Sequence, residues 1–105
     1  MAKQINVWTF TGEIFYLKEL EGEFSASLKL RGTAQRDGAF SVQIAEISCL
    51  LQSKIWTQLK EQQIKQYDTV TLSGHLESWN QNSHGKPVRK IMLIADSLVD
   101  VQYKV

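Results

Sequence analysis

The sequence predicts a mainly β protein: a five-stranded barrel with one α-helix between strands 3 and 4. Three observations carry that prediction. Five segments alternate apolar and polar residues with period two, one segment between the third and fourth repeats with a helical period, and turn-forming residues separate them. The 105 residues predict a single domain, 1–105, with one core and much exposed surface, so that self-association would add useful burial.

The first strand is predicted over Ile5 to Leu17. Trp8, Phe10, Gly12 and Ile14 share one face, and Val7, Thr9, Thr11 and Glu13 the other. Gly12 interrupts the apolar face, where a small barrel needs a bulge or a bend. Glu19 to Glu23 forms a turn. Phe24 to Arg31 alternates again, with Phe24, Ala26, Leu28 and Leu30 against Ser25, Ser27, Lys29 and Arg31. Asp37-Gly38 then signals a hairpin.

The third strand runs from Phe40 to about Leu51, with Phe40, Val42 and Ile44 on one face. Its parity becomes confused at Glu46-Ile47, which predicts a bulge there. Ile55, Leu59 and Gln63, four apart, predict an amphipathic helix over Ser53 to about Gln66, with Ser53 as N-cap and Trp56 packed against the barrel or another subunit. The fourth strand spans Asp68 to Trp79, with Val70, Leu72, Gly74 and Leu76 on its apolar side. Asn80 to Pro87 is predicted as a loop. Val88 to Val101 closes the barrel, and Ile91-Met92-Leu93-Ile94, apolar on both faces, predicts cover from both sides.

Composition narrows the function. Twelve basic and eleven acidic residues leave a formal charge of +1, so any polyanion site must be local. Cys49 lies in the apolar run Ile47–Leu51 and reads as a buried structural thiol. The first residues lack a signal-peptide core and no apolar run approaches the roughly 20 residues that span a bilayer, which predicts a cytoplasmic protein with no membrane partner. Catalysis finds no support. His75 and His84 lie nine apart, one cysteine makes no familiar zinc site, Glu19, Glu21 and Glu23 form a solvated turn, and no phosphate-binding glycine loop occurs. No catalytic residue, metal or cofactor is expected.

Five strands with a helix between the third and fourth is the element order of the oligonucleotide-binding (OB) barrel. Trp8-x-Phe10-x-Gly12-x-Ile14 is similar to the opening strand of bacterial single-stranded DNA-binding proteins. Ala45–Ser48 with Ser53–Leu59, Tyr67–Leu76 and Lys90–Leu98 resemble that family's third strand with helix entry, fourth strand and closing strand. The closing segment is closer still to that of the shortened relative primosomal replication protein N. The resemblance covers almost the whole chain. It implies non-catalytic binding of single-stranded DNA in replication, recombination or repair, and a homo-oligomer (dimer or tetramer).

The residues that fit this implication are Lys29, Arg31, Lys86, Arg89 and Lys90 for phosphates, with Trp79 and Phe40 for base contact. By themselves, Lys29 and Arg31 read as a charged strand surface that protects an edge, and Trp79 also suits a ring that covers a neighbouring strand. Phe40 equally suits a plug for the barrel end. The chain departs from the family pattern where Ile47 and Ser53 stand at positions of stacking aromatics, and Tyr16 and Tyr103 stand isolated. Strand one, with Val7, Thr9 and Thr11 uncharged, is the expected pairing surface between copies. A second reading is an OB protein-interaction module, or an accessory primosome subunit contacting replication proteins, with weak or lost DNA binding. An RNA-binding barrel is the third.

Overall fold

The computed structural model describes residues 5–34 and 43–105. Its elements are β1 (Trp8–Glu19), β2 (Ala26–Ala34), β3 (Gln43–Leu51), α1 (Ser53–Glu61), β4 (Thr69–Ser83) and β5 (Lys86–Gln102). The strands close into a barrel in the order β1-β2-β3-β5-β4. All neighbours are antiparallel except β3 and β5, which run parallel over Cys49–Leu51 and Leu93–Ala95.

The barrel closes because the alternating residues meet inside it. Ile14, Leu28, Leu30, Leu51, Val70 and Leu72 are fully buried, and Cys49 joins them. Burial pushes the Cys49 thiol up to about 12, so it stays protonated and acts as a small apolar side chain. One face of α1 adds Ile55 and Leu59, a turn apart and both sealed in the core. Burying those two side chains is worth roughly 1.5–3 kcal/mol each before entropy is counted. Trp8 and Trp56 pack against the same core, as their positions predict.

Several local expectations give way. The helix ends at Glu61, not Gln66, because Gln63 takes a left-handed φ of 56° and turns Ile64 back onto the core. Its N-cap is Gln52, without a side-chain hydrogen bond, and Ser53 is already helical. The β2–β3 register runs unbroken from Ala26↔Leu51 to Ala34↔Gln43, so no bulge lies at Glu46-Ile47. Ile47 opposes Leu30 and faces the core, while Ile44, on the outward face, stands 65% exposed and had blurred the parity. Phe40 and Val42 lie outside the described residues.

Gly12 marks a close approach and no bulge. A Cβ there would sit 2.9 Å from the Arg31 carbonyl oxygen. The β1 bulge falls instead between Ile14 and Tyr16.

The segment Asn80 to Pro87 is also no loop. β4 and β5 stay paired out to Ser83↔Lys86, joined by a two-residue turn in which His84 (φ 52°) and Gly85 (φ 76°) are both left-handed. That geometry matches the twist of a tight hairpin. The result is a two-stranded arm, from Leu76 and Leu93 to the turn. Leu76 directs its N–H and C=O at the Asn6 side chain, on the β1 side. By alternation Pro87, opposite Asn82, turns its missing N–H to the far open edge, where the ladder does not need it. Cover of the Ile91–Ile94 run is partial: Ile94 is buried, but Ile91, out on the arm, is 67% exposed. Among the described residues no helix is long and apolar enough to cross a membrane.

Candidate nucleic-acid interface

Alternation places Ser27, Lys29 and Arg31 of β2 on the outside of the barrel, and their β3 partners Leu50, Ser48 and Glu46 beside them. β1 completes this surface through its bulge. Ile14 opposes Leu30 and Leu17 opposes Leu28, so both face inward although they are three residues apart. The two residues between them, Phe15 and Tyr16, are left outside. Each ring meets a cation from β2. The Lys29 ammonium lies 5.2 Å from the Tyr16 ring centre, and the Arg31 guanidinium 4.6 Å from that of Phe15. Tyr16 is 42% exposed, enough for a further ring to lie on it.

Arg31 is engaged on its other side too. Its Nε donates to Glu46 Oε1 at 3.1 Å and its Nη2 lies 3.0 Å from the same oxygen as an ion pair, with both side chains about half exposed. Lys29 has no carboxylate opposite; its β3 neighbour is Ser48.

The arm supplies the second rim. β3 and β5 pair in parallel at Cys49–Leu51 and Leu93–Ala95, so the part of β3 before Cys49 and the arm before Leu93 reach that stretch from the same end of the barrel. On the arm, Lys90 has Trp79 as its cross-strand neighbour. Lys90, Val88 and Lys86 share one face of β5 with Trp79 and Gln81 opposite them, and this face continues the outer surface of the barrel. Trp79 is 41% exposed. Among the described residues β3 and β5 pair only over Cys49–Leu51 and Leu93–Ala95, and the two rims flank the place where that pairing ends.

The structure thus brings Lys29 and Arg31 to one rim and Trp79, Lys86 and Lys90 to the other. Arg89 is separated from them: it pairs with Asn80 on the opposite face of the arm, beside Ile91. Phe40 lies outside the described residues. Ile47 faces the core and Ser53 opens the helix, so the rings of this surface come from β1 instead. Phe15 and Tyr16 were missed because a bulge changes the phase of a strand. The readable signal was Leu17, which breaks the Trp8–Ile14 parity.

A second polar cluster sits at the root of the arm. His75 places Nδ1 2.6 Å from Asp96 and Nε2 2.6 Å from Glu77. The Asp96 carboxylate first, then that of Glu77, holds the imidazole pKa above its ordinary value, against a smaller opposing effect of burial. Trp8 donates its indole N–H to the His75 carbonyl and anchors the same point. Among the described residues no group of three or more His, Cys, Asp or Glu is placed to hold a metal ion.

No protein-family model and no curated protein matches the sequence. Solved structures do match the fold. A mitochondrial single-stranded DNA-binding protein of S. cerevisiae superposes with a TM-score of 0.71 at 10% identity, covering 97% of this chain and 100% of that one. A Plasmodium falciparum single-stranded DNA-binding protein, solved with single-stranded DNA, gives 0.67 at 13% identity over 100% and 99%. A small single-stranded DNA-binding protein of Mycoplasma pneumoniae gives 0.66 at 11% over 92% and 94%. The barrel is therefore of the OB type that these proteins share.

Proposed function

We propose that this protein binds single-stranded DNA without catalysis and with little regard to base sequence. The strand lies across the outer face of β1, β2 and β3 and past the end of the β3–β5 pairing to the arm. The observation that carries this is the pair of ring–cation contacts, Tyr16 with Lys29 and Phe15 with Arg31, on the outward face of β1 and β2. Rings offer every base a π-face, and cations offer every phosphate a counter-charge, so the arrangement fits a backbone-tracking, sequence-tolerant site. The likeness in fold to proteins described as single-stranded DNA-binding supports the same reading.

Magnitudes set the affinity. Stacking contributes about 1–3 kcal/mol per base, so three rings supply roughly 3–9 kcal/mol before ordering of the strand is counted. A micromolar Kd needs about 8 kcal/mol, so stacking alone reaches that range only at its upper end and the cations must supply the rest. Lys29, Lys86 and Lys90 add a salt-dependent part, each neutralised phosphate contributing roughly 0.7 to the slope of log K against log salt. Phe40, named on sequence grounds, is assigned a base contact, and Arg89 a phosphate contact on the far side of the arm. The protein works in the cytoplasm in replication, recombination or repair, as a homo-oligomer.

The exposed Ile91, Leu76 and Val88 of the arm favour one further role, contact with a protein partner such as a replication or primosome component. The test is a titration of fluorescent oligo-dT, with oligo-rU alongside, at two salt concentrations. Saturable binding that weakens with salt, and weakens about tenfold or more in Tyr16→Ala or Trp79→Ala, is expected. Absence of binding at low salt would leave the protein-contact role alone standing.

A further inference from the structure

We propose that Glu46 is a built-in competitor for the phosphate seat on Arg31, so that this chain's own carboxylate holds down the affinity of the face for a nucleic-acid strand. The inference rests on the reading of that face as the strand's path.

Four features of the geometry lead there. The guanidinium lies 4.6 Å from the Phe15 ring centre, which fixes its plane on the outside of the barrel. Its Nε and Nη2 edge, the fork that fits carboxylate and phosphate alike, points at a single oxygen of Glu46. Arg31 and Glu46 are direct cross-strand neighbours, so the carboxylate is delivered by the register itself. Both side chains stand about half exposed, with relative areas of 46% and 52%, so a strand can reach the pair and the fold does not depend on it. A phosphate oxygen replacing Glu46 Oε1 would face the same two nitrogens and leave the guanidinium on its ring.

The exchange has a cost that the neighbouring seat lacks. When a phosphate takes Arg31, Glu46 is left without its partner beside a polyanion. The local charge is then no more neutral than before, and little counterion is released. Lys29, opposite Ser48, carries no such competitor among the described residues. Two cations one step apart on β2 therefore differ in what they give a strand: Lys29 a full share of the salt dependence, Arg31 little of it.

The opposite role for Glu46 is also physically clear. By orienting the guanidinium it would act as a positioning residue, and its removal would weaken binding. The sign separates the two. In a titration of fluorescent oligo-dT across a salt series, Glu46→Gln should bind about two- to fivefold tighter at low salt, the range an exposed ion pair releases. Its slope of log K against log salt should steepen by roughly 0.7. In an Arg31→Gln background the same substitution should gain little, whereas simple repulsion of the strand by Glu46 would give an equal gain in both backgrounds. Glu61→Gln, on α1, should change nothing, and the thermal midpoint checks that each variant folds. Wild-type binding with Glu46→Gln equal or weaker, or an equal gain without Arg31, overturns the competitor and leaves the binding face standing. Failure of both wild type and Glu46→Gln to bind overturns the two together.

Discussion

At the scale of single residues, the arm is held at its root by two side chains of opposite kind, one charged and one absent. His75 bridges Asp96 of β5 and Glu77 of its own strand through both ring nitrogens, an arrangement only the protonated imidazole satisfies fully. Its pKa is raised in the folded state, so the native protein binds more protons than the unfolded chain around neutrality. The contribution is complete below the ordinary imidazole value of about 6.5 and disappears as pH rises through the raised folded value. Thermal midpoints measured against pH should therefore fall over that window in the wild type and flatten in His75→Gln; parallel curves would sink the assignment. One residue earlier, Gly74 leaves out a Cβ that would sit 1.7 Å from the Ile94 carbonyl oxygen, where β4 and β5 shift register. Backbone cannot yield as a side-chain tip can. Gly74→Ala should cost at least the upper end of the roughly 1–3 kcal/mol typical of overpacking, measured by chemical denaturation.

At the scale of elements, what was readable follows what is buried. β2 and the first half of β1 each have one face in the core, so their alternation named the inward residues and, by subtraction, put Lys29 and Arg31 outside. The arm has no core on either side, and a ribbon without a buried face carries no alternating signal. Asn80 to Pro87 therefore looked like loop while being strand. Its turn was readable none the less: two left-handed residues, His84-Gly85, fix Ser83 opposite Lys86, and counting outward puts Trp79 opposite Lys90. Phe15 and Tyr16 escaped for the converse reason, since a bulge moves two residues to one face where strict period two allows one. An arm built this way stands apart from the barrel energetically. Gly85→Val, which puts a β-branched residue at φ 76°, should speed amide exchange from Leu76 to Leu93 while leaving exchange at Leu72 and Leu28 nearly unchanged. Equal acceleration throughout would mean that arm and barrel unfold as one unit.

At the scale of the whole molecule, the closed sheet is less important for the strand it seals than for the place where its β3–β5 pairing ends. Among the described residues β3 and β5 pair over three residues only, and the molecule's near-neutral charge of +1 hides a surface with rings and cations on both sides of where that pairing ends. Two rims in series along one path have a consequence that two independent patches lack. A strand long enough to cross that place engages Tyr16 and Lys29 on one side and Trp79 and Lys90 on the other, and the second contact is made intramolecularly, with an effective concentration set by the few nucleotides between. A strand too short to cross engages one rim at a time. The dependence on each rim should therefore change with length. For oligo-dT of about 12 nucleotides, within the 4–16 that OB barrels cover, Tyr16→Ala and Trp79→Ala should each weaken binding strongly. For about 3 or 4 nucleotides at most one of the two substitutions should matter, because the lost rim was not in use. Anisotropy titrations over a length series read this directly. If both substitutions weaken every length by the same factor, the rims do not lie in series, and the end of the β3–β5 pairing is not what the strand crosses.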